Sequence, residues 1–111
     1  MTLTDKTGTP VTITQEPRQF TIGIEGNTVG RLEFADRDGQ RVFYHTEVDE
    51  AFGGRGLATV LIGEALSMTR TEGLRIVPVC PTVAAYVKKR HDEFEGSVDL
   101  PTPQILEWLD A

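Results

Sequence analysis

The hydrophobic period of this chain changes at one place, and a glycine-rich bend sits at the change. Up to Val48, apolar residues alternate with polar or small ones, the repeat of a strand with one buried face. From Leu57 they recur every three or four positions, the repeat of an amphipathic helix. Between the two lies Val48-Asp49-Glu50-Ala51-Phe52-Gly53-Gly54-Arg55-Gly56-Leu57-Ala58. Glycines here let the backbone take dihedrals denied to other residues and approach a ligand closely. The first amides of the following helix have no intrahelical acceptor, and the helix dipole adds positive character at the same end. A bend of this kind suits an anion, most often a phosphate or diphosphate, and the backbone of Gly53 to Ala58 is the candidate site. A merely tight strand–helix turn is the competing reading.

Charge sharpens the choice. The chain of 111 residues carries 11 Lys+Arg against 17 Asp+Glu, a net charge of −6. Nucleic acids bind broad basic surfaces, so that class of partner is excluded, and an anion must be held locally. A nucleotide-triphosphate loop needs Gly-Lys-Ser/Thr, whereas Gly56 is followed by Leu57 and Ala58. A dinucleotide fingerprint needs Gly or Ala where Thr59 stands, and an acidic residue ending the next strand, which here ends at Cys80. The diphosphate of coenzyme A is the remaining class.

The rest of the chain predicts one domain over residues 1–111, with a flexible, Thr-rich tail over 1–10. Val11 and Ile13 begin a short strand. Phe20, Ile22 and Ile24 alternate in the next, ended by a hairpin turn at Glu25-Gly26-Asn27. A strand through Val29 to Phe34 runs to a turn at Asp36–Gly39, and Arg41 to Val48 forms another. After the first helix and a stop at Gly73, Leu74 to Val79 reads as a strand buried on both faces. A helix over Thr82–His91 and a last one opened by Thr102-Pro103 complete the order, with Ile105, Trp108 and Leu109 anchoring the last to the core. The fold class is α/β (α+β): an antiparallel meander followed by β-α-β-α.

One cysteine, Cys80, excludes an internal disulfide and a cysteine metal cluster. No apolar run approaches the ~20 residues of a membrane span, and the first residues lack the apolar stretch of a secretory leader. The expected location is the cytoplasm, with no membrane partner.

At the glycine bend the chain resembles the GNAT superfamily of acyl-CoA-dependent N-acetyltransferases, whose pattern is Gln/Arg-x-x-Gly-x-Gly/Ala at a helix start. Its glycine falls on Gly56 and its small residue on Ala58, while Gly53 stands where Gln or Arg is usual. The likeness is nearest to minimal, one-domain members, through His45-Thr46-Glu47-Val48 before the bend and Val79-Cys80-Pro81 before a helix ending in Lys88-Lys89-Arg90-His91. It runs from Gln19 to Phe94. It implies a mixed, curved sheet split at a V-shaped opening that receives the pantetheine arm. It implies acetyl-CoA as acyl donor with no metal, a primary amine as acceptor, and a monomer or weak homodimer. Cofactor contacts are then expected at Val48, Gly53, Gly54, Arg55, Gly56, Leu57, Ala58, Lys88 and Lys89, although the lysines also suit the negative end of a helix dipole.

Acetyl transfer needs a positioned amine, a proton path and stabilisation of the tetrahedral oxyanion. Strict alternation places Phe43, His45 and Glu47 on one strand face, and with the resemblance these make His45 and Glu47 catalytic candidates. Cys80 ends a strand just before Pro81, so its sulfur lies near a helix N-terminus, which favours the thiolate. Two routes follow: a Cys80/His45 pair with an acetyl-Cys80 intermediate, or direct attack by the amine with Cys80 only lining the site. A non-catalytic acyl-CoA-binding or protein-interaction module is the alternative from another class.

Overall fold

A computed structural model describes residues 3–110. Strands β1 (Thr12–Gln15), β2 (Gln19–Ile24), β3 (Asn27–Arg37) and β4 (Gln40–Val48) pair antiparallel in chain order. Glu25-Gly26 and Asp38-Gly39, the residues between β2, β3 and β4, all have positive φ. Two-residue hairpins need that geometry, because its twist matches the strands it joins. A short 3-10 turn at Glu50–Phe52, absent from the sequence expectation, leads through the glycines to α1 (Leu57–Thr71). Then come β5 (Arg75–Pro78), α2 (Pro81–Lys89), α3 (His91–Phe94) and α4 (Pro103–Asp110).

The sheet is mixed and split, as expected. β5 lies parallel to β4 but pairs with it only from Gln40 to Phe43, while β4 stays bonded to β3 as far as Val48. The N–H groups of Val79 and Cys80 both donate to the Phe43 carbonyl, at 3.0 and 2.9 Å, and there the parallel ladder ends. Beyond it β4 and β5 no longer pair.

Each face of the sheet is covered by a different part of the chain. Phe20, Ile22, Leu32, Phe34 and Phe43 pack beneath Leu57, Leu61, Ile62 and Leu66 of α1 and Val83 of α2. On the other face Val42 and Val77 meet Ile105 of α4, with Trp108 and Leu109 beside it, so the anchoring expected of the last helix holds. Arg41 is buried between Asp36 and Glu72, at 2.8 and 2.6 Å, with its guanidinium 4.3 Å from the Phe34 ring centre. Arg41 thereby ties the β3–β4 hairpin to the end of α1.

The flexible tail expected over 1–10 is not what residues 3–10 form. They make a hydrogen-bonded turn closed by a Thr4–Pro10 bridge, with Asp5 buried at its centre. The Thr7 amide and hydroxyl and the Thr9 amide donate to the Asp5 carboxylate at 2.8, 2.6 and 3.0 Å. Arg55 donates to it from 50 positions away, at 2.8 Å. Local periodicity carries no trace of a partner so distant. The Thr7 hydroxyl above all, with the amides and Arg55, holds the Asp5 carboxyl down to about 2 against the opposing effect of burial. A depressed carboxyl supports folding fully above its ordinary range near 4 and loses that support as pH falls towards 2. Met1 and Thr2, which complete that expectation, lie outside the described residues.

Helix α1 approaches α2 closely at a glycine. A Cβ at Gly63 would lie 2.6 Å from the Tyr86 phenol oxygen. Overpacking of this kind costs about 1–3 kcal/mol, against about 1 kcal/mol gained in helix propensity. Urea denaturation is expected to show Gly63→Ala less stable than wild type, with Tyr86→Phe recovering most of the loss in the double variant. Equal stability of the single and double variants would reject this contact as the cause.

Candidate functional site

The bend is shaped by two glycines in the left-handed region, Gly54 at φ 79° and Gly56 at φ 73°, where a Cβ would strain the backbone. Gly56 caps α1 without a side-chain hydrogen bond, and Leu57, buried, anchors the first turn in the core. Among the described residues, the N–H groups from Gly54 to Thr59 donate to no protein acceptor. Gly53 departs from the expected set. Its φ is −61° and its N–H turns back to the Glu50 carbonyl at 3.1 Å, so its amide is already engaged. The Arg55 side chain is engaged too, donating to Asp5 and to the Thr9 hydroxyl at 2.8 and 3.0 Å, 5.3 Å from the Phe52 ring centre. These contacts tie the side chain to the N-terminal turn, and its backbone N–H has no protein acceptor among the described residues.

From this bend a groove of about 590 Å³ runs between α1 and α2. Ala58, Thr59 and Ile62 form one wall, and Thr82, Lys88 and Lys89 stand on the other. The Arg90 guanidinium lies 3.9 Å from the Tyr86 ring centre at its edge. Folding thus joins two motifs that are distant in sequence: the start of one helix supplies unpaired amides, and the last turn of another supplies cations.

The sheet split opens beside Cys80. This residue caps α2 in an extended conformation, with Pro81 opening the helix as the sequence suggests. Its Sγ lies 3.3 Å from the Thr46 hydroxyl, across the split on β4. Burial pushes the thiol pKa up, but the Thr46 hydroxyl and the amides of Val83 and Thr82 outweigh it, and the pKa falls below the ordinary thiol value.

His45 and Glu47 do not share the face of Phe43. Between the pairs Glu33–His45 and Phe34–Phe43 the β3–β4 register shifts by one residue, leaving Tyr44 as a bulge. The bulge reverses the alternation that follows. Thr46, opposite the buried Leu32, stays on the helix-covered face with Phe43, and His45 and Glu47 point to the other side. A Cys80/His45 pair is therefore not formed, since the sheet lies between them. His45 is half exposed, 3.8 Å from Glu47, which accepts from Arg31 at 2.6 Å. On that second face a cavity of about 800 Å³ is bounded by Tyr44 and Val79, at the mouth of the split, and by Leu106 and Trp108 of α4. Thr46 was absent from the sequence candidates, because only the register against β3 shows that it faces the thiol.

Comparison with known proteins agrees with this geometry. Residues 19–97 match the family model described as GCN5-related N-acetyl-transferase. The protein NATD1 of Gallus gallus is 33% identical over 94 residues, covering 83% of this chain and 76% of its own. NATD1 of Homo sapiens is 31% identical over 106 residues, covering 92% and 85%. Among solved structures, a GCN5-like protein from Staphylococcus aureus superposes with a TM-score of 0.59 at 22% identity, over 83% of this chain and 91% of its own. A ribosomal-protein alanine N-acetyltransferase from Escherichia coli gives 0.56 at 13%, over 68% and 54%. The split mixed sheet, the glycine bend at α1 and the match across most of the chain together make it a member of the GCN5-related N-acetyltransferase family.

Proposed function

We propose that the chain is a minimal, single-domain acetyltransferase of the cytoplasm that takes acetyl from acetyl-CoA and transfers it to a primary amine. The observation that carries this reading is continuity. Unpaired amides at the start of α1 open directly into a groove bearing Lys88 and Lys89, next to a sheet edge left bare by the split. Coenzyme A needs these surfaces in that order. Its diphosphate would accept from the N–H groups of Gly54 to Thr59, and its remaining phosphate would lie by the lysines. The pantetheine amides would pair along β4 towards Val48, leaving the thioester near Thr46 and Cys80.

The amine attacks the thioester carbonyl, the carbon–sulfur bond breaks, and the departing thiolate takes up a proton. In the direct route Cys80 supplies or relays that proton across its bond with Thr46. In the covalent route the Cys80 thiolate attacks first, releases coenzyme A and then yields its acetyl group to the amine. Its lowered pKa favours the second route without requiring it. The acceptor enters from the opposite face through the cavity at Tyr44, Val79 and Trp108, and His45, next to Tyr44 in the chain, accepts the ammonium proton with Glu47 3.8 Å from its imidazole. A non-catalytic acyl-CoA-binding module is the second reading. It is favoured by Gly53 in place of Gln or Arg and by the absence of a titratable partner beside Cys80 among the described residues.

Heteronuclear NMR titration with acetyl-CoA is expected to shift Gly54, Arg55, Gly56 and Leu57 most; shifts confined to α4 would overturn the placement. Replacing Lys88 and Lys89 together by alanine is expected to weaken coenzyme A binding about tenfold by calorimetry, less at high salt. The covalent route requires Cys80→Ala and Cys80→Ser each to lose at least about 100-fold in thiol release with an amine panel. Full rate in both variants dismisses it. Binding without turnover on any amine establishes the second reading.

A further inference from the structure

We infer that the N-terminal turn, residues 3–10, is a clasp that sets the shape of the anion-binding bend, with Asp5 as its positioning residue. The inference rests on the reading of that bend as the diphosphate site, and it adds a part of the chain outside residues 19–97, the span of the family match. The bend alone is a poor candidate for rigidity. Gly54 and Gly56 flank Arg55, and glycine loses more conformational freedom on ordering than any other residue. Arg55 is the one side chain between them, and the clasp holds it at both ends.

Its guanidinium donates to Asp5 and Thr9, at 2.8 and 3.0 Å, and its carbonyl accepts from the Lys6 amide at 2.8 Å. The second contact fixes a direction. In a planar trans peptide the carbonyl and the next N–H point to opposite sides. Drawing the Arg55 carbonyl towards Lys6 therefore turns the Gly56 N–H away from the clasp, to the side where the unpaired amides of α1 begin. The Asp5 side chain has no exposed surface. It takes every contact from Thr7, Thr9 and Arg55, so it serves as the clasp's internal hub and is closed to ligand. It also neutralises Arg55, leaving diphosphate recognition to the amides. Preorganised donors bind more tightly because ordering is complete before the ligand arrives.

The test compares wild type, Asp5→Asn and the milder Thr7→Ala, which removes one exposed donor to the same carboxylate. Loss of a buried charge-assisted contact is expected to speed hydrogen exchange at the Lys6 amide, which donates to the Arg55 carbonyl, about tenfold in Asp5→Asn, and about threefold in Thr7→Ala. Exchange in the core strands should be unchanged. Affinity for coenzyme A is expected to fall in the same order, with KM for acetyl-CoA rising and kcat at saturation preserved. A general structural role would instead speed exchange throughout. Unchanged exchange at the Lys6 amide in both variants overturns the clasp. Tighter binding by Asp5→Asn also overturns it, because the released Arg55 would then be a ligand rather than a tether. If Asp5→Asn does not fold, Thr7→Ala decides by the same readouts. A wild type that fails to bind coenzyme A defeats the diphosphate reading, while exchange at the Lys6 amide still decides whether the clasp holds the bend.

Discussion

The Phe43 carbonyl accepts two N–H groups, from Val79 and Cys80, and much of the site follows from that convergence. A parallel ladder continues only while each strand presents donors and acceptors in step. Here Pro78 has no N–H, Pro81 starts a helix, and two donors close on one acceptor, so pairing cannot go further. The Tyr44 bulge bends β4 at the same level. Strand termination and strand bending thus act together to part the sheet, and neither needs an insertion or a long loop. A chain of this size builds an opening by ending a hydrogen-bond ladder early.

The opening gives the two faces of the sheet different chemistry. On the α1 face Thr46 and Cys80 meet across the gap in largely apolar surroundings. On the α4 face His45, Glu47 and Arg31 form an exposed polar cluster, and a separate cavity is walled by Tyr44 and Trp108. In the proposed reaction the sheet separates donor from acceptor, and the split is the place where they meet.

The proposed reading has an acidic protein bind an anion, and its cations are closely managed. Arg31, Arg41, Arg55 and Arg75 are each paired with a carboxylate, whereas Lys88 and Lys89 border the groove without one among the described residues. The paired arginines fasten hairpins, helix ends and the clasp. In the proposed reading, recognition is left to backbone dipoles and two lysines, which suits a long ligand with a few separated charges better than a polyanion.

Strands, hairpins and α1 were legible in the sequence because each depends on neighbours a few positions apart. Glu25-Gly26 and Asp38-Gly39 announce their turns, Leu57 to Leu66 announces a buried helix face, and the glycines before it announce free amides. The family resemblance added the split, which no local pattern displays. What stayed hidden were relations between distant segments. The parity of His45 depends on one extra residue measured against β3, and Asp5 looks like part of a tail until Arg55 is brought to it. Thr46 faces Cys80 only because β4 and β5 part where they do. Residue order alone determined the two hairpin turns, the buried face of α1 and the unpaired amides at its start, since those follow from backbone stereochemistry and short-range hydrophobic spacing. Tertiary structure alone decided which side chains share a face, because register and long-range ion pairs are set by the packing of whole elements against one another.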